Sequence, residues 1–330
     1  MNQICKGGLI FEICENNCTA KVIDCQHADG DVFIPKFISH KNCNYLITSI
    51  NDKLFSSNHS IKSISFSEES EVQSIGSYAF AYSSLEKIII PSKVKKIGEL
   101  AFYCCLNLKT VIFQENSELQ ILDESLFSCS TIEDIIIPSS VTKICSKAFD
   151  YCTYLKSLQF QPNSSLQTIE RLAFSQTLLE NLTIPSKVTT LEEGWCQNAN
   201  NLNFITISPL NDNFSFIDNK ILISKIDEKS EVKDFVTFVR RDVDSVFIPS
   251  QIKSIGSFSF SQCRRLKCIE FEKNSELCSI RPYAFNDSSI GRILIPSKVT
   301  ELCECCFSYC NELKFVEFEN LFLLFCYSIH

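Results

Sequence analysis

The feature that most constrains the fold is a dipeptide that returns at a fixed interval. Isoleucine followed by proline occurs at Ile34-Pro35, Ile90-Pro91, Ile137-Pro138, Ile184-Pro185, Ile248-Pro249 and Ile295-Pro296. The intervals from Pro91 to Pro138, from Pro138 to Pro185 and from Pro249 to Pro296 are each 47 residues long. Periods of this length are typical of arrays in which each repeat packs only against its neighbours. The sequence therefore predicts a stack of repeats.

A second series of apolar residues divides each period into two coils of 23 and 24 residues. Every coil has the spacing apolar-x-x-apolar-x-apolar, and its last two members, two residues apart, point to the same side of a short strand. Eleven strands of this kind end at Phe66, Ile90, Phe113, Ile137, Phe160, Ile184, Ile207, Ile248, Phe271, Ile295 and Phe318. Proline after a strand lacks an N–H group and directs the chain into a turn. We expect these strands to form one parallel sheet.

The other wall of each coil has its own repeated residue. A phenylalanine follows a small residue in most coils, and an isoleucine or leucine precedes it by about five residues, as Ile97 precedes Phe102. A coil that turns back on itself is filled from both walls, so these rings are expected to be buried. The predicted buried set is Phe80, Phe102, Phe127, Phe149, Phe174, Phe260, Phe285 and Phe307.

Two stretches carry a family resemblance. Val94-Lys95-Lys96-Ile97-Gly98-Glu99-Leu100-Ala101-Phe102-Tyr103-Cys104-Cys105 and Leu179-Glu180-Asn181-Leu182-Thr183-Ile184-Pro185 resemble the BspA-like surface-antigen class of leucine-rich repeats. With the spacing, the resemblance predicts a leucine-rich-repeat solenoid of about 12 coils, with one parallel β-sheet, an irregular opposite wall and an N-terminal β-hairpin cap. The resemblance alone implies a surface antigen that adheres to host or matrix proteins and has no enzymatic activity.

Breaks in the pattern give the predicted domain organisation. Residues 1–47 are expected to form a capping hairpin and a first partial coil, with strands at 9–13 and 19–23. Repeats occupy 48–210 and 243–318. Residues 211–242 are predicted to be an inserted hairpin, because Pro185 and Pro249 are 64 residues apart. Its strands, 216–224 and 234–240, are expected to project from the stack around a turn at 227–229. Residues 319–330 form a short tail that either caps the last coil or marks a truncated array.

The outer face of the strands is the candidate binding site. In each strand, the residue between the last two apolar members points away from the core. Ile89, Ile112 and Ile136 hold this position in three successive coils, and Phe247 and Leu294 hold it later in the chain. Contiguous exposed apolar surface often marks a protein interface, whereas isoleucine also suits any strand. The hypothesis is that these five residues contact a protein partner, and strand propensity alone is the alternative.

Cysteine is abundant, with 19 residues. The spacing Cys303-x-Cys305-Cys306-x-x-x-Cys310 is similar to that of a metal cluster. However, Cys306 occupies the small-residue position before Phe307, and Cys310 follows that ring by three residues, as a cysteine does in several other coils. Cysteine at such positions behaves as a small buried hydrophobic residue. We predict buried thiols and no metal ligand here.

Disulfides within the repeats are limited by geometry. Cys105 and Cys152 are two coils apart, about 9–10 Å at sheet spacing, whereas a disulfide needs Cα atoms within about 7 Å. A disulfide partner for a cysteine at the position of Cys105 must therefore lie in the next coil, and Cys129 is the candidate. The cysteines near the N-terminus are free of this limit and are bridged only if the protein is secreted: Cys5, Cys14, Cys18, Cys25 and Cys43.

Catalysis and cofactor binding have no support in the sequence. His27, His40 and His59 lie near the N-terminus and His330 is terminal, and none has a cysteine or serine partner in a recognisable motif. A glycine-rich phosphate loop, a zinc-protease motif and a nucleophile elbow are all missing from the sequence. We predict no catalytic, cofactor-binding or metal-binding residues.

Charge and composition bear on partners and location. The net charge of −8 is spread along the chain, which disfavours binding to nucleic acid or to an anionic membrane. The apolar stretch at 321–327 is too short to be a transmembrane segment. The first residues lack the pattern of a secretory signal, which favours the cytoplasm, whereas the resemblance favours the cell surface. Two classes therefore remain, a surface adhesin and an intracellular protein-interaction scaffold; the sequence does not specify the partner or the oligomeric state.

Overall fold

The computed structural model describes residues 3–26, 28–227 and 230–319, and within these ranges the regular structure consists of β-strands. The chain divides into two compact units, residues 1–179 and 180–330. In the described residues there is no helix long and apolar enough to cross a bilayer. The tail predicted at 319–330 lies, beyond residue 319, outside the described residues, as do the histidines His27 and His330.

The strands of the first unit are β1 (Gln3–Lys6), β2 (Leu9–Cys14), β3 (Thr19–Cys25), β4 (Gly30–Ile34), β5 (Phe37–His40), β6 (Cys43–Ile50), β7 (Ile61–Phe66), β8 (Ser74–Ile75), β9 (Lys87–Ile90), β10 (Lys96–Ile97), β11 (Thr110–Phe113), β12 (Ile121–Leu122), β13 (Asp134–Ile137), β14 (Lys143–Ile144), β15 (Ser157–Phe160) and β16 (Thr168–Ile169).

The front wall of the first unit is a six-stranded parallel sheet in the order β15-β13-β11-β9-β7-β4. Its strands alternate between buried and exposed residues, as Ile88 and Ile90 are buried while Ile89 between them faces out. This alternation follows from the two-residue period of a strand. The predicted strands and their orientation are confirmed in this unit.

The opposite wall is more regular than the sequence predicts. The two-residue strand β8 pairs in parallel with both β6 and β10, and β12, β14 and β16 form a second parallel ladder. Each of these strands ends in a buried aliphatic residue, such as Ile75, Ile97 and Ile144. The wall was predicted to be irregular because two residues are too few to show an alternating pattern. The solenoid is thus closed by parallel ladders on both walls.

The phenylalanine column fills the space between the walls. Adjacent rings stack face to face from Phe55 to Phe174, with centroids 5.1–5.6 Å apart. The residues two before and two after each ring adopt the left-handed conformation, as at Leu100 and Cys104 around Phe102. These paired reversals turn the ring inward at the same place in each coil. The predicted burial of the column is confirmed, including Phe260, Phe285 and Phe307 in the second unit.

The N-terminal residues form an antiparallel arrangement. Strands β2 and β3 pair around the turn at residues 15–18, in agreement with the two strands expected there, and β1 pairs with β2. Strand β3 then pairs in parallel with β6, which also pairs with β5. Leu9, Phe11 and Ile13 are buried. The meander therefore extends the β6–β8–β10 ladder of the opposite wall to its N-terminal end.

The strands of the second unit are β17 (Asn181–Ile184), β18 (Thr190–Leu191), β19 (Phe204–Ile207), β20 (Ser215–Ile217), β21 (Ile221–Ser224), β22 (Phe235–Val239), β23 (Ser245–Ile248), β24 (Ser254–Ile255), β25 (Cys268–Phe271), β26 (Ser279–Ile280), β27 (Arg292–Ile295), β28 (Glu301–Leu302) and β29 (Phe315–Phe318).

The front strands of the second unit are parallel, as predicted, but they do not form one sheet. They are hydrogen-bonded as the pairs β17–β19, β23–β25 and β27–β29. The inserted segment enters the chain between β19 and β23, which interrupts the succession of front strands there. Strands β22, β24, β26 and β28 form a parallel ladder on the other wall.

The inserted segment is built into the stack, so the expectation that it projects is wrong. The stretch predicted as one strand at 216–224 is split into β20 and β21 by a reversal at Asp218 and Asn219, both of which have positive φ. Strand β21 pairs antiparallel with β22, and β22 pairs parallel with β24. All five residues of β22 are buried. The apolar side chains of the insertion are therefore part of the core of the second unit.

Gly98 is expected to be required where two coils approach closely. A Cβ atom at this position would lie 2.5 Å from the backbone nitrogen of Ser77 and 2.8 Å from its Cα. We expect Gly98→Ala to lower the free energy of unfolding by about 1–3 kcal/mol through this overlap, measured by urea denaturation. Gly291→Ala is the control, because the nearest atom there is 3.8 Å away. Equal stability of the two variants would show that the coils can separate at no cost.

Candidate protein-binding face

Three isoleucines form a continuous apolar surface on the front sheet of the first unit. Ile89 on β9 is in register with Ile112 on β11, and Ile136 occupies the same position on β13. Their side chains are 36%, 43% and 53% exposed. Side chains at equivalent positions of paired strands lie within contact distance. We call these three residues the isoleucine stripe.

Polar residues bound the isoleucine stripe at both ends. Ser65 on β7 precedes it, and Gln159 on β15 is in register with Ile136 and follows it. Phe33 on β4, in register with Ser65, is also exposed and was missed by the sequence analysis. The sequence pattern did not identify Phe33, because β4 lacks the apolar-x-x-apolar-x-apolar spacing of the later coils, although Ile34-Pro35 marks the end of the strand. The stripe is therefore a defined patch three strands wide.

A groove lies beside the stripe, at the ends where β9, β11 and β13 begin. It has a volume of about 520 Å³ and is lined by Glu86, Leu106, Asn107, Lys109, Thr131, Glu133 and Tyr154. We call this set the entry groove. Leu106 and Tyr154 are 66% and 54% exposed, so the groove has apolar side chains of its own, separated from the stripe by the exposed residues Lys87, Thr110 and Asp134. The groove provides a concave contact surface next to the flat isoleucine stripe.

The entry groove arises from an alternation in loop length that is visible in the sequence. Two residues separate Cys105 from Leu108, and two separate Cys152 from Leu155, but only Thr131 separates Ser130 from the next core residue. The shorter loop leaves a gap between the two longer ones. The apolar columns alone do not predict the groove, because its shape depends on the lengths of the loops between them.

Charges alternate along the strand ends next to the groove. The residue that follows the first apolar residue of each trio is Lys62, Glu86, Lys109, Glu133 and Lys156 in five successive coils. These positions are in register, since the N–H of Glu86 donates to the carbonyl of Lys62 and the N–H of Lys109 to that of Glu86. Opposite charges at adjacent ladder positions stabilise the pairing modestly. The rim of the groove consequently carries both signs.

Phe247 and Leu294 occupy the predicted column in the second unit, on β23 and β27. Both are exposed, but Phe247 is in register with Glu270 and Leu294 with Glu317. Carboxylates therefore alternate with the apolar side chains in this column. The structure brings three of the five candidate residues together in the stripe and leaves these two as isolated positions.

The cysteines of the last coils are held by protein contacts. The thiol of Cys310 donates to the carbonyl of Phe285 at 3.0 Å, as Cys105 does to Phe80 and Cys152 to Phe127. Burial raises the pKa of Cys303 to about 11 and that of Cys306 to about 12, so both thiols are protonated near neutral pH. Within the described ranges, no group of three or more cysteine, histidine or acidic residues is placed to hold a metal ion.

Stacked parallel ladders with a leucine-rich consensus define this chain as a leucine-rich-repeat solenoid. It belongs to the BspA-type leucine-rich repeat family, whose model matches residues 33–156, 120–235 and 230–324 with six copies. The resemblance noted in the sequence is thus confirmed. A comparison with curated proteins finds no match.

Solved structures with the same fold come from bacterial proteins. A leucine-rich cell surface protein from Faecalibacterium prausnitzii is 25% identical, with a TM-score of 0.70 over 96% of this chain and 95% of that one. The pneumococcal vaccine antigen PcpA is 22% identical, with a TM-score of 0.71 over 96% of this chain and 82% of its own. A leucine-rich repeat protein from Eubacterium ventriosum is 18% identical, with a TM-score of 0.51 over 95% and 70% of the two chains.

Proposed function

We propose that this chain is a non-enzymatic protein-binding repeat protein whose principal contact surface is the isoleucine stripe together with the entry groove. The observation that carries the proposal is the contiguity of three exposed isoleucines in a column that is polar on either side. Strand propensity would favour isoleucine at such positions but would not concentrate it in three adjacent coils. A mixed-charge rim around an apolar centre is the usual composition of a protein interface.

A surface role is the form of this function that we favour. Proteins with the same fold include a leucine-rich cell surface protein and a vaccine antigen. We propose that the chain acts as an adhesin that contacts host or matrix proteins. Binding of this kind requires shape and apolar complementarity on one face and no reactive group.

The test is a triple substitution of the stripe. Ile89→Thr, Ile112→Thr and Ile136→Thr together keep β-branching at each exposed position but remove apolar area. We expect binding to a responsive member of a panel of immobilised matrix proteins, such as fibronectin, fibrinogen and collagen, to weaken about tenfold or more, since each buried CH₂ contributes about 0.8 kcal/mol. Biolayer interferometry measures the change.

The matched control is Phe247→Thr with Leu294→Thr, which removes exposed apolar side chains from equivalent positions in the second unit. Affinity should change little in this variant if the stripe is the contact surface. Unfolding of the triple variant would mean that the isoleucines are core residues. A folded triple variant that binds with unchanged affinity would assign the stripe to strand propensity alone.

The second candidate function is that of an intracellular protein-interaction scaffold. The exposed cysteines Cys5, Cys14, Cys18, Cys43 and Cys268 favour it, because free surface thiols persist in reducing compartments. Surface biotinylation of intact cells that produce the chain, with a cytosolic protein as control, separates the two. Labelling from outside supports the adhesin, and protection from label supports the scaffold.

A further inference from the structure

Two cysteines occupy equivalent positions in consecutive coils of the first unit. Cys104 follows Phe102 by two residues, and Cys129 follows Phe127 by two. Both have left-handed backbone conformation, with φ of 52° and 60°, and both are partly exposed. The two rings before them stack with centroids 5.3 Å apart. The coils therefore present the two thiols in the same direction, one above the other.

The backbone around these cysteines fixes their separation. The N–H of Cys104 donates to the carbonyl of Ser128 at 2.9 Å, and the N–H of Phe102 to the carbonyl of Leu126 at 2.9 Å. Chains linked in this way lie about 4.8 Å apart. A disulfide accepts Cα separations of about 4.4–6.8 Å. Burial and the neighbouring Cys129 thiol both raise the pKa of Cys104, in keeping with two side chains that lie close together.

The position of Cys104 and Cys129 within the coil differs from the position of Cys105 and Cys152. Cys105 and Cys152 follow their phenylalanines by three residues, and the residue at that position in the coil between them is Ser130, whose hydroxyl contacts the Cys152 thiol at 3.5 Å. Cys129 is therefore not the partner of Cys105. Along the repeats from residue 61 to 319, Cys104 and Cys129 are the cysteines that hold one column in successive coils.

We propose that Cys104 and Cys129 are a thiol–disulfide site that closes when the protein meets a small-molecule disulfide such as oxidised glutathione. The thiolate of one cysteine attacks a sulfur of the oxidant, which forms a mixed disulfide and releases one glutathione thiolate. The second cysteine then attacks the mixed disulfide, which forms the intercoil S–S bond and releases the second glutathione. Two thiol protons pass to the released thiolates, so the protein loses two electrons and the oxidant gains them.

The bond would enclose the coil that carries Ile112. Residues 104–129 include β11, whereas Cys104 and Cys129 lie in the segments that follow the opposite-wall strands β10 and β12. The closed loop ties this coil to the next without covering the isoleucine stripe. Closure removes conformations from the unfolded chain and thereby stabilises the native stack. The proposal is independent of the partner that the stripe binds.

The test is oxidation of the folded full-length protein by oxidised glutathione, followed by alkylation, trypsin digestion and mass spectrometry. We expect a cross-link between the peptide bounded by Lys96 and Lys109 and the peptide that contains Cys129. Cys104 and Cys105 share the first peptide, so variants assign the bond. The cross-link should persist in Cys105→Ser and disappear in Cys104→Ser and in Cys129→Ser, and oxidation should raise the urea midpoint of the wild type and of Cys105→Ser.

Three results would overturn the proposal. One is a wild-type protein that accumulates only mixed disulfides with glutathione. Another is a cross-link that survives in Cys104→Ser, because it would then run through Cys105. The third is formation of the same bond at an equal rate in guanidinium, because the folded register would then contribute nothing. Folding of each variant is checked by circular dichroism, and the wild-type peptide map decides the question even if a variant fails to fold.

Discussion

Replacement of Phe149 by alanine is expected to lower the free energy of unfolding by about 3–5 kcal/mol. The ring is fully buried and stacks on Phe127 at 5.3 Å and on Phe174 at 5.6 Å. Its loss leaves a cavity between two neighbouring rings that are held by their own coils. Because each coil contacts only its neighbours, the backbone has little freedom to collapse into that space. Urea denaturation followed by circular dichroism measures the change.

Leu106→Ala is the control for this substitution. Leu106 is a large apolar side chain that is mostly exposed, so its truncation should change stability by less than about 0.5 kcal/mol. A cost for Phe149→Ala below about 1 kcal/mol would contradict the packed column, since truncation of a buried ring in a close-packed interior is costly. The comparison separates packing within the coil from the general effect of removing an apolar group.

Replacement of Asp234 by alanine is expected to destabilise the second unit by about 3 kcal/mol, since hydrogen bonds to a charged group contribute about 1.5–3 kcal/mol each. The side chain is completely buried and accepts hydrogen bonds from the N–H of Ile226 at 3.0 Å and the hydroxyl of Ser230 at 2.7 Å. Lys253 lies 3.1 Å from the same carboxylate. One side chain thus holds the end of the inserted loop to the repeat that follows it.

Two variants separate the contributions at this site. Asp234→Asn retains an acceptor for Ile226 and should cost less than the alanine variant. Lys253→Met removes only the ion pair, and since the lysine is about half exposed and screened by solvent, the loss should be much smaller than that of Asp234→Ala. Equal losses for Lys253→Met and Asp234→Ala would assign the effect to the ion pair and would contradict the hydrogen-bonding role.

The dependence of the stability of the second unit on pH follows from the same contacts of Asp234. Burial alone raises the pKa of Asp234, but the hydrogen bonds from Ser230 and Ile226 and the charge of Lys253 outweigh it, so the pKa lies below its ordinary value. The stabilisation by the Asp234 carboxylate is therefore complete above about pH 4, the ordinary pKa of an aspartate in the unfolded chain. It is lost as the pH falls through the lower pKa of Asp234 in the folded protein. In acid titrations, the stability difference between wild type and Asp234→Asn should shrink below that point.

The repeat determined how much of the fold was predictable. The front strands and the phenylalanine column follow from periodicity, because each residue type recurs at one place in many coils. The ladders of the opposite wall were not predicted, because most of their strands, such as β10 and β14, are only two residues long. The inserted segment was predicted to contain strands, but its reversal at Asp218 and Asn219 divides one of them. Nothing in the apolar pattern showed that the hairpin would be buried beside β24.

The candidate site was predictable in part. The contiguity of Ile89, Ile112 and Ile136 follows from counting residues, because equivalent positions in successive coils are in register. The entry groove depends on loop length, a second kind of repetition that the apolar pattern does not report. The column of Cys129 was assigned one residue out, because Cys129 follows its phenylalanine by two residues and Cys105 follows its own by three.

The alternation of charge and of loop length along the first unit has a consequence for how such arrays change during evolution. Lysine and glutamate change places from one coil to the next, and so do the longer and shorter loops that shape the groove. Loss of a single coil would bring two like charges and two similar loops side by side, whereas loss or gain of two coils would preserve both patterns. The pair of coils, 47 residues long, is therefore the increment in which the stack can be lengthened or shortened while both patterns are kept.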